Sequence, residues 1–291
     1  MRTALVTDST ARPVPPVVAV VDLDVVVDGT PAREVDTDLD ALLARMSAGA
    51  QVGTSRPSPV GFSRAYAAAA EAGASAVVSV HLSGVLSGTV EAARLAAVGA
   101  PVRVEVVDTG SVGAVLSVAV AVGAAAAADG ADARRVSRLV RRVGERSRTW
   151  FSPATAAHLA HGGRAGAEQG RAGLGARPVL LVQDGRLVPL ERVRTTGRLL
   201  DRLSELVVER VQELAIFEGP DRDGVEVVVQ HAGAAGVADD LVRRLRAGSA
   251  GVRLGVGAGG VPVRVGLLSP VLTAHVGPGA VGVAVVVTPS R

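Results

Sequence analysis

The sequence contains no cysteine, no lysine and few aromatic residues. Without cysteine the chain has no disulfide, thiolate metal site or cysteine nucleophile, which fits a reducing compartment. All 31 basic residues are arginine, so the lysine of a phosphate-binding P-loop and a lysine Schiff base are excluded as well. Aromatic residues make up 2% of the chain, too few for the base-stacking platforms of single-strand binders. These absences favour a cytoplasmic protein without a nucleic-acid partner.

The composition is that of a folded, globular chain. Its 291 residues are 48% hydrophobic and 20% charged, a length that accommodates one large or two modest domains. The sequence pI of about 10.6 reflects the use of arginine, because the net charge is only +3. The arginine-rich segment 134–142 is interpreted as a solvated helix face beside an apolar stripe.

One uncharged run imitates a membrane span. Residues 112–128 carry no charge over 17 positions, but they are mostly Ala, Gly and Val. A spanning helix of that minimal length would favour Leu and Ile. The run therefore predicts a buried helix, and no stable membrane insertion is expected.

The N-terminal half alternates strands with helices. Apolar, β-branched runs at 2–8, 75–83 and 102–110 end in polar or glycine residues, and the last two lead into helical stretches. Residues 17–29 supply one or two further strands. This order predicts an α/β domain over residues 1–150, with a parallel sheet flanked by helices.

The C-terminal half has a different pattern. Residues 177–193 form two strand-like runs joined by Asp184-Gly185, a strong hairpin signal. An amphipathic helix follows over 199–214, then a strand at 225–233 and a helix around Leu241. The tail from 261 to 287 is predicted to return to strands. Residues 151–291 are therefore expected to form an α+β domain with a largely antiparallel sheet.

Polar groups concentrate in three connections. "VGTSRPSPVGF" (52–62) and "HLSGVLSGTVEAA" (81–93) place hydroxyls where helices begin, an arrangement suited to an anion but equally explained by helix capping. "LAHGGRAG" (159–166) puts an arginine after two glycines.

Several segments resemble catalytic or ligand-binding motifs but lack a feature that the motif requires. Ser87 lacks the spacing of a nucleophile elbow, and the glycines of 255–260 lead into a strand-like run where a dinucleotide site needs a helix. His158 and His161 lack an evident third metal ligand. Asp8 has the position of a residue that orients a histidine, although capping a turn is the simpler role.

Seven segments together resemble the DegV family of bacterial fatty-acid-binding proteins: "LVTDST", "GTSRPSP", "HLSGVLSGT", "VVDTGSV", "HGGRAG", "RPVLLVQDGRLVPLERVR" and "HVGPGAVGV". The resemblance spans nearly the whole chain. It implies a long-chain fatty acid bound between the domains, with the acyl chain in an apolar tunnel and the carboxylate at the interface. It also implies a separate kinase subunit that phosphorylates the carboxylate, so that this chain is a carrier and not an enzyme.

The resemblance also assigns site residues. The carboxylate would be held by Thr54, Ser55, Ser87, Gly88 and His275, with Arg164 nearby and Arg194 at a basic position of the family. No cofactor and no metal are expected beside the fatty acid. The chain departs from the family pattern at Arg56, Ala165 and Gly166, which leaves chain-length preference open. The alternative is a small hydrolase or acyltransferase that uses Ser87 with His275, and with Asp8 as a third member.

Overall fold

The structure is a computed structural model that describes residues 2–55, 57–153, 176–217, 224–247 and 260–290. The strands of this part of the chain are β1 (Thr3–Asp8), β2 (Ala19–Val21), β3 (Asp24–Val27), β4 (Thr30–Arg33), β5 (Val52–Thr54), β6 (Ala76–His81), β7 (Arg103–Asp108), β8 (Arg148–Ser152), β9 (Arg177–Gln183), β10 (Arg186–Val193), β11 (Gly224–His231), β12 (Val263–Leu267) and β13 (Val281–Thr288). The helices are α1 (Leu39–Ser47), α2 (Pro59–Glu71), α3 (Thr89–Val98), α4 (Ala114–Ala128), α5 (Ala133–Arg146), α6 (Thr196–Phe217), α7 (Ala235–Ala247) and α8 (Pro270–Val276).

The predicted parallel sheet is confirmed. Its strand order is β2-β1-β6-β7, and every neighbouring pair is parallel. Helices α2 and α3 cover one face of this sheet, whereas α4 and α5 cover the other. Burial on both faces explains why β1 and β6 are nearly continuous apolar runs.

A six-stranded mixed sheet contains most of the C-terminal half. Its order is β10-β9-β8-β13-β11-β12, and only the β11–β12 pair is parallel. The predicted hairpin is confirmed: Asp184 and Gly185 join β9 to β10 with φ angles of 49° and 74°, the left-handed conformation that Asp-Gly adopts readily. Helices α6 and α7 pack on the outer face.

The two sheets share a layer of helices. The predicted buried helix is α4, which lies with α5 between the parallel sheet and the mixed sheet and packs against Val228, Ala284 and Val286 of the latter. Strand β8 belongs to the mixed sheet and crosses the predicted domain boundary between residues 150 and 151. Among the described helices, none is long and apolar enough to cross a membrane.

The predicted strand character of the whole 261–287 tail is wrong, because α8 separates β12 from β13. Ser269 caps this helix by accepting the N–H of Leu272, and Pro270 occupies its first turn. Serine followed by proline is an ordinary helix-start signal that the surrounding β-branched residues obscured.

A small antiparallel sheet, β4-β3-β5, also lies outside the predicted α/β pattern. It packs with α1 and α8 around a separate core of Leu23, Val25, Leu42 and Val271. Helix α8 comes from the C-terminal half, so this core joins two distant parts of the chain.

Glu34, just after β4, fixes the beginning of α8. Its Oε1 accepts the N–H of Val271 at 2.8 Å, although Glu34 is only 3% exposed. Burial raises the pKa of Glu34 above its ordinary value of 4.5, and the Ser9 and Ser269 hydroxyls and the Val271 N–H oppose that shift. A raised carboxyl pKa means that the folded protein holds its proton more tightly than the unfolded chain, so stability falls as the pH rises through the raised pKa.

Glu34→Gln should therefore remove this part of the pH dependence. The amide keeps an oxygen for the Val271 N–H and carries no charge, so at neutral pH the variant should be at least as stable as the wild type. Glu34→Ala leaves the Val271 N–H without its acceptor and should cost about 1–3 kcal/mol. Urea unfolding at pH 4 and pH 7.5 measures both effects. Equal destabilisation by the two substitutions at pH 7.5 would contradict the assigned role of the Oε1 atom.

Candidate functional site

A cavity of about 720 Å³ lies where the small sheet, α8, the loop after β6 and the inner face of the mixed sheet meet. Many of the residues that line it have aliphatic side chains: Leu23, Val52, Leu82, Leu86, Val112, Leu187, Val228, Leu268, Val271, Leu272 and Val276 all contribute. Among the described residues that line the cavity, none is Asp, Glu or Arg, and the one histidine is His275. The volume lies within the range of about 300–1,000 Å³ that is usual for small-molecule sites.

His275 and Thr54 meet in the wall of this cavity. Thr54 Oγ1 lies 2.9 Å from His275 Nε2, and the tautomer of the imidazole decides which of the two donates. Thr54 ends β5 of the small sheet, whereas His275 lies in the last turn of α8. The structure thus brings together two predicted site residues that are 221 positions apart in the sequence.

Ser55 lines the cavity, but its polar groups are engaged within the small sheet. Its hydroxyl donates to Asp24 Oδ2 at 3.0 Å, and its N–H donates to the Asp24 carbonyl at 3.2 Å. A ligand carboxylate would have to compete with Asp24 for the hydroxyl of Ser55.

Ser87 and Gly88 line the cavity where α3 begins. The Ser87 hydroxyl is 2.8 Å from Thr89 Oγ1 and accepts the N–H of Thr89, the first residue of α3. The N-cap itself is Gly88, which has no side chain to cap the helix. The first N–H groups of a helix lack acceptors within the helix, and the helix dipole favours an anion near them.

Of the two arginines that the resemblance assigns to the site, Arg194 lies in the described part of the chain. Arg194 is exposed just after β10 and is not among the residues that line the cavity. Arg164 lies outside the described residues, as do Arg56, Ala165, Gly166 and the two histidines His158 and His161. Within the described ranges, no group of three or more His, Asp or Glu side chains is placed to hold a metal ion.

The hydrolase alternative requires a contact between Ser87 and His275. In the described part of the chain, the Ser87 hydroxyl is bonded to Thr89 and His275 Nε2 to Thr54. Asp8 does orient a histidine, but that histidine is His81, whose Nδ1 is 3.0 Å from Asp8 Oδ2. Asp8 also caps the following turn by accepting the N–H of Thr10.

His81 belongs to a buried hydrogen-bond chain. Its Nε2 is 2.7 Å from Ser79 Oγ, which accepts from the Tyr66 hydroxyl at 2.8 Å. Burial raises the pKa of Tyr66 to about 12, so its phenol stays protonated and can donate. Asp8, Ser79 and His81 have the residue types of a catalytic triad, but they have no exposed surface and do not line the cavity. This series of hydrogen bonds therefore stabilises the ends of β1 and β6.

The sequence pattern missed one polar residue of the cavity wall, Gln230, and the partner of Ser83 in the neighbouring loop. Gln230 lines the cavity from β11, and its Oε1 accepts the N–H of Ala114 at the start of α4. Ser83, after β6, donates to the Gly185 carbonyl at 2.7 Å, which holds the β9–β10 hairpin against this loop. A glutamine within the buried run "VEVVVQ" was the available signal for Gln230; nothing local identifies the partner of Ser83.

Known proteins resemble this chain over its full length. A sequence model described as "Uncharacterised protein, DegV family" matches residues 2–288. A DegV domain-containing protein of Streptomyces coelicolor is 36% identical over 97% of both chains. One of Mycobacterium tuberculosis is 33% identical over 91% of this chain and 88% of that protein.

Solved structures have the same fold. A DegV family protein from Thermus thermophilus, described as binding fatty acid, superposes with a TM-score of 0.80 at 29% identity and covers 99% of this chain and 100% of its own. A DegV family protein from Streptococcus agalactiae superposes with a TM-score of 0.84 at 22% identity and covers 100% of both chains. The predicted combination of a parallel sheet with a largely antiparallel second sheet is confirmed by these structures. The chain belongs to the DegV family.

Proposed function

We propose that this protein binds a long-chain fatty acid in the cavity and presents its carboxylate to a fatty acid kinase subunit. The carboxylate lies in the part of the cavity formed by Thr54, Ser87 and His275, with Ser55 and Gly88 beside them, and the acyl chain occupies the aliphatic remainder. The observation that carries the proposal is a cavity lined by many aliphatic side chains, with a paired hydroxyl and imidazole in its wall. The fatty acid binding of the Thermus thermophilus relative supports it.

The energetics agree with a carrier. Each buried methylene contributes about 0.8 kcal/mol, so a long acyl chain offers on the order of 10 kcal/mol before the entropic losses of binding. The carboxylate loses hydration on entering and needs several hydrogen-bond donors in return. Hydroxyls, an imidazole N–H and the beginning of α3 supply donors while the aliphatic wall stays uncharged.

Lipids extracted from the purified protein and identified by mass spectrometry test the ligand class. We expect a long-chain fatty acid at near-stoichiometric amounts. Recovery of no fatty acid, together with ester hydrolysis that disappears in Ser87→Ala, would favour the hydrolase alternative and contradict the carrier.

Two substitutions test the carboxylate end. His275→Ala and Ser87→Ala each remove a hydrogen-bonding group near a charged ligand, which is worth about 1.5–3 kcal/mol, and should weaken the Kd about 10- to 100-fold. Titration with a fluorescent fatty acid measures the change. Ser63→Ala is the matched control, since Ser63 is exposed on α2 and bonds only the Pro59 carbonyl. Unchanged binding in both site variants, with circular dichroism showing a folded protein, would show that the carboxylate lies elsewhere.

A kinase assay tests presentation. With ATP alone the bound fatty acid should stay unchanged, because the carrier does no chemistry. Addition of the kinase subunit of a bacterial fatty acid kinase should transfer the γ-phosphoryl group of ATP to the carboxylate and release acyl phosphate and ADP, which hydroxylamine trapping detects. Delipidated protein is the control. Acyl phosphate formed without the kinase, or none formed with it, would contradict this part of the proposal.

A further inference from the structure

On the face of β13 that borders the cavity, the side chains become larger along the strand. Alternate residues of a strand face the same side, so Gly282, Ala284 and Val286 share one face. Gly282 and Ala284 line the cavity, whereas Val286 does not and is fully buried against α4 and α5. The cavity therefore extends over the beginning of β13 and ends beyond Ala284.

Larger side chains flank these small ones on both neighbouring strands. In the sheet register Gly282 lies between Phe151 and Gln230, and Ala284 lies between Thr149 and Val228. Paired residues of antiparallel strands point to the same face. A groove thus runs along β13, with one wall from β8 and the other from β11.

Gly282 and Ala284 are small for different reasons. A Cβ atom at Gly282 would lie 2.9 Å from the Cβ atom of Phe151 and 3.1 Å from the Trp150 carbonyl oxygen, so strand packing alone requires glycine there. Ala284 already has a Cβ atom, and the adjoining space is cavity. A larger side chain at position 284 would therefore shorten the groove.

The position of His275 indicates which way a fatty acid would lie in the groove. His275 lies in α8, which precedes β13, and the cavity lining includes residues 280–284 but none of 285–288. An acyl chain with its carboxylate at His275 would follow the beginning of β13. Gly282 and Ala284 are about 7 Å apart along the strand, and Ala284 is the last residue of β13 that lines the cavity.

We infer that Ala284, with Val228 opposite it, sets the longest acyl chain that the cavity accepts. This inference rests on the proposed fatty-acid function. Beyond Ala284 the side chain of Val286 closes the groove, so added volume at 284 displaces the methyl end of the ligand. Val228 acts in the same way from the neighbouring strand.

Ala284→Val adds two carbon atoms at the end of the groove. The longest fatty acid bound by the wild type should bind more weakly, by about fourfold for each methylene that no longer fits and roughly 15-fold for two. Lipids that co-purify from the same host should shorten by about two carbons. Mass spectrometry and fluorescent-ligand competition measure the two effects.

Substitutions with opposite expected effects distinguish a change in chain-length preference from a loss of protein stability. Val228→Ala removes two methyl groups from the groove and should favour longer chains, and the double variant Ala284→Val with Val228→Ala should return to the wild-type preference. Val285→Ala is the matched control, because it removes the same atoms from β13 but faces the core under α6 and α7. Its chain-length profile should be unchanged.

The outcomes distinguish a failure of the role assigned to Ala284 from a failure of the proposed fatty-acid function. If wild-type protein carries fatty acid but neither Ala284→Val nor Val228→Ala changes the chain-length profile, the role of Ala284 is overturned and the fatty-acid function stands. If the double variant resembles either single variant, the two residues do not share one limit, which also overturns it. If the wild type carries and binds no fatty acid, the proposed function fails and this inference fails with it.

Discussion

The position of α8 is the constraint on which the site depends. This seven-residue helix is held against the small sheet at both ends: Glu34 accepts the N–H of Val271 at its beginning, and Thr54 bonds His275 in its last turn. A helix of two turns has little stability of its own, so its orientation comes from these contacts and from the core around Leu42. Val271 and His275, which make these contacts, both line the cavity.

The rest of the fold supplies the remaining walls. Layered packing places α4 and α5 between two sheets, and the face of the mixed sheet that they cover becomes the floor of the cavity where their cover ends. The loop after β6 is held from below by the buried chain from Asp8 to Tyr66 and from the side by Gly185. Hydroxyls and a helix start thus share one cavity with aliphatic side chains.

Sequence reasoning recovered the elements with strong periodicity and two residues that the fold brings into contact, Thr54 and His275. The hairpin at Asp184-Gly185 and the buried helix α4 followed from local chemistry, and the family resemblance brought Thr54 and His275 to one site. The predicted strands at 17–29 are β2 and β3, but β4, β5 and α8 were not recovered, because short strands and a helix rich in β-branched residues have weak local signals. The contacts of Glu34 and Ser83 were missed for another reason: their partners are 237 and 102 positions away, and spacing carries no information about such contacts.

The central claim is that the part of the cavity at Thr54 and His275 holds a fatty-acid carboxylate. A crystal structure of the protein loaded with a long-chain fatty acid tests this most directly. The claim predicts a carboxylate oxygen within hydrogen-bond distance of Thr54 or His275, with the acyl chain extending over β13 toward Ala284. A fatty acid bound in the opposite direction, or bound outside this cavity, would contradict it.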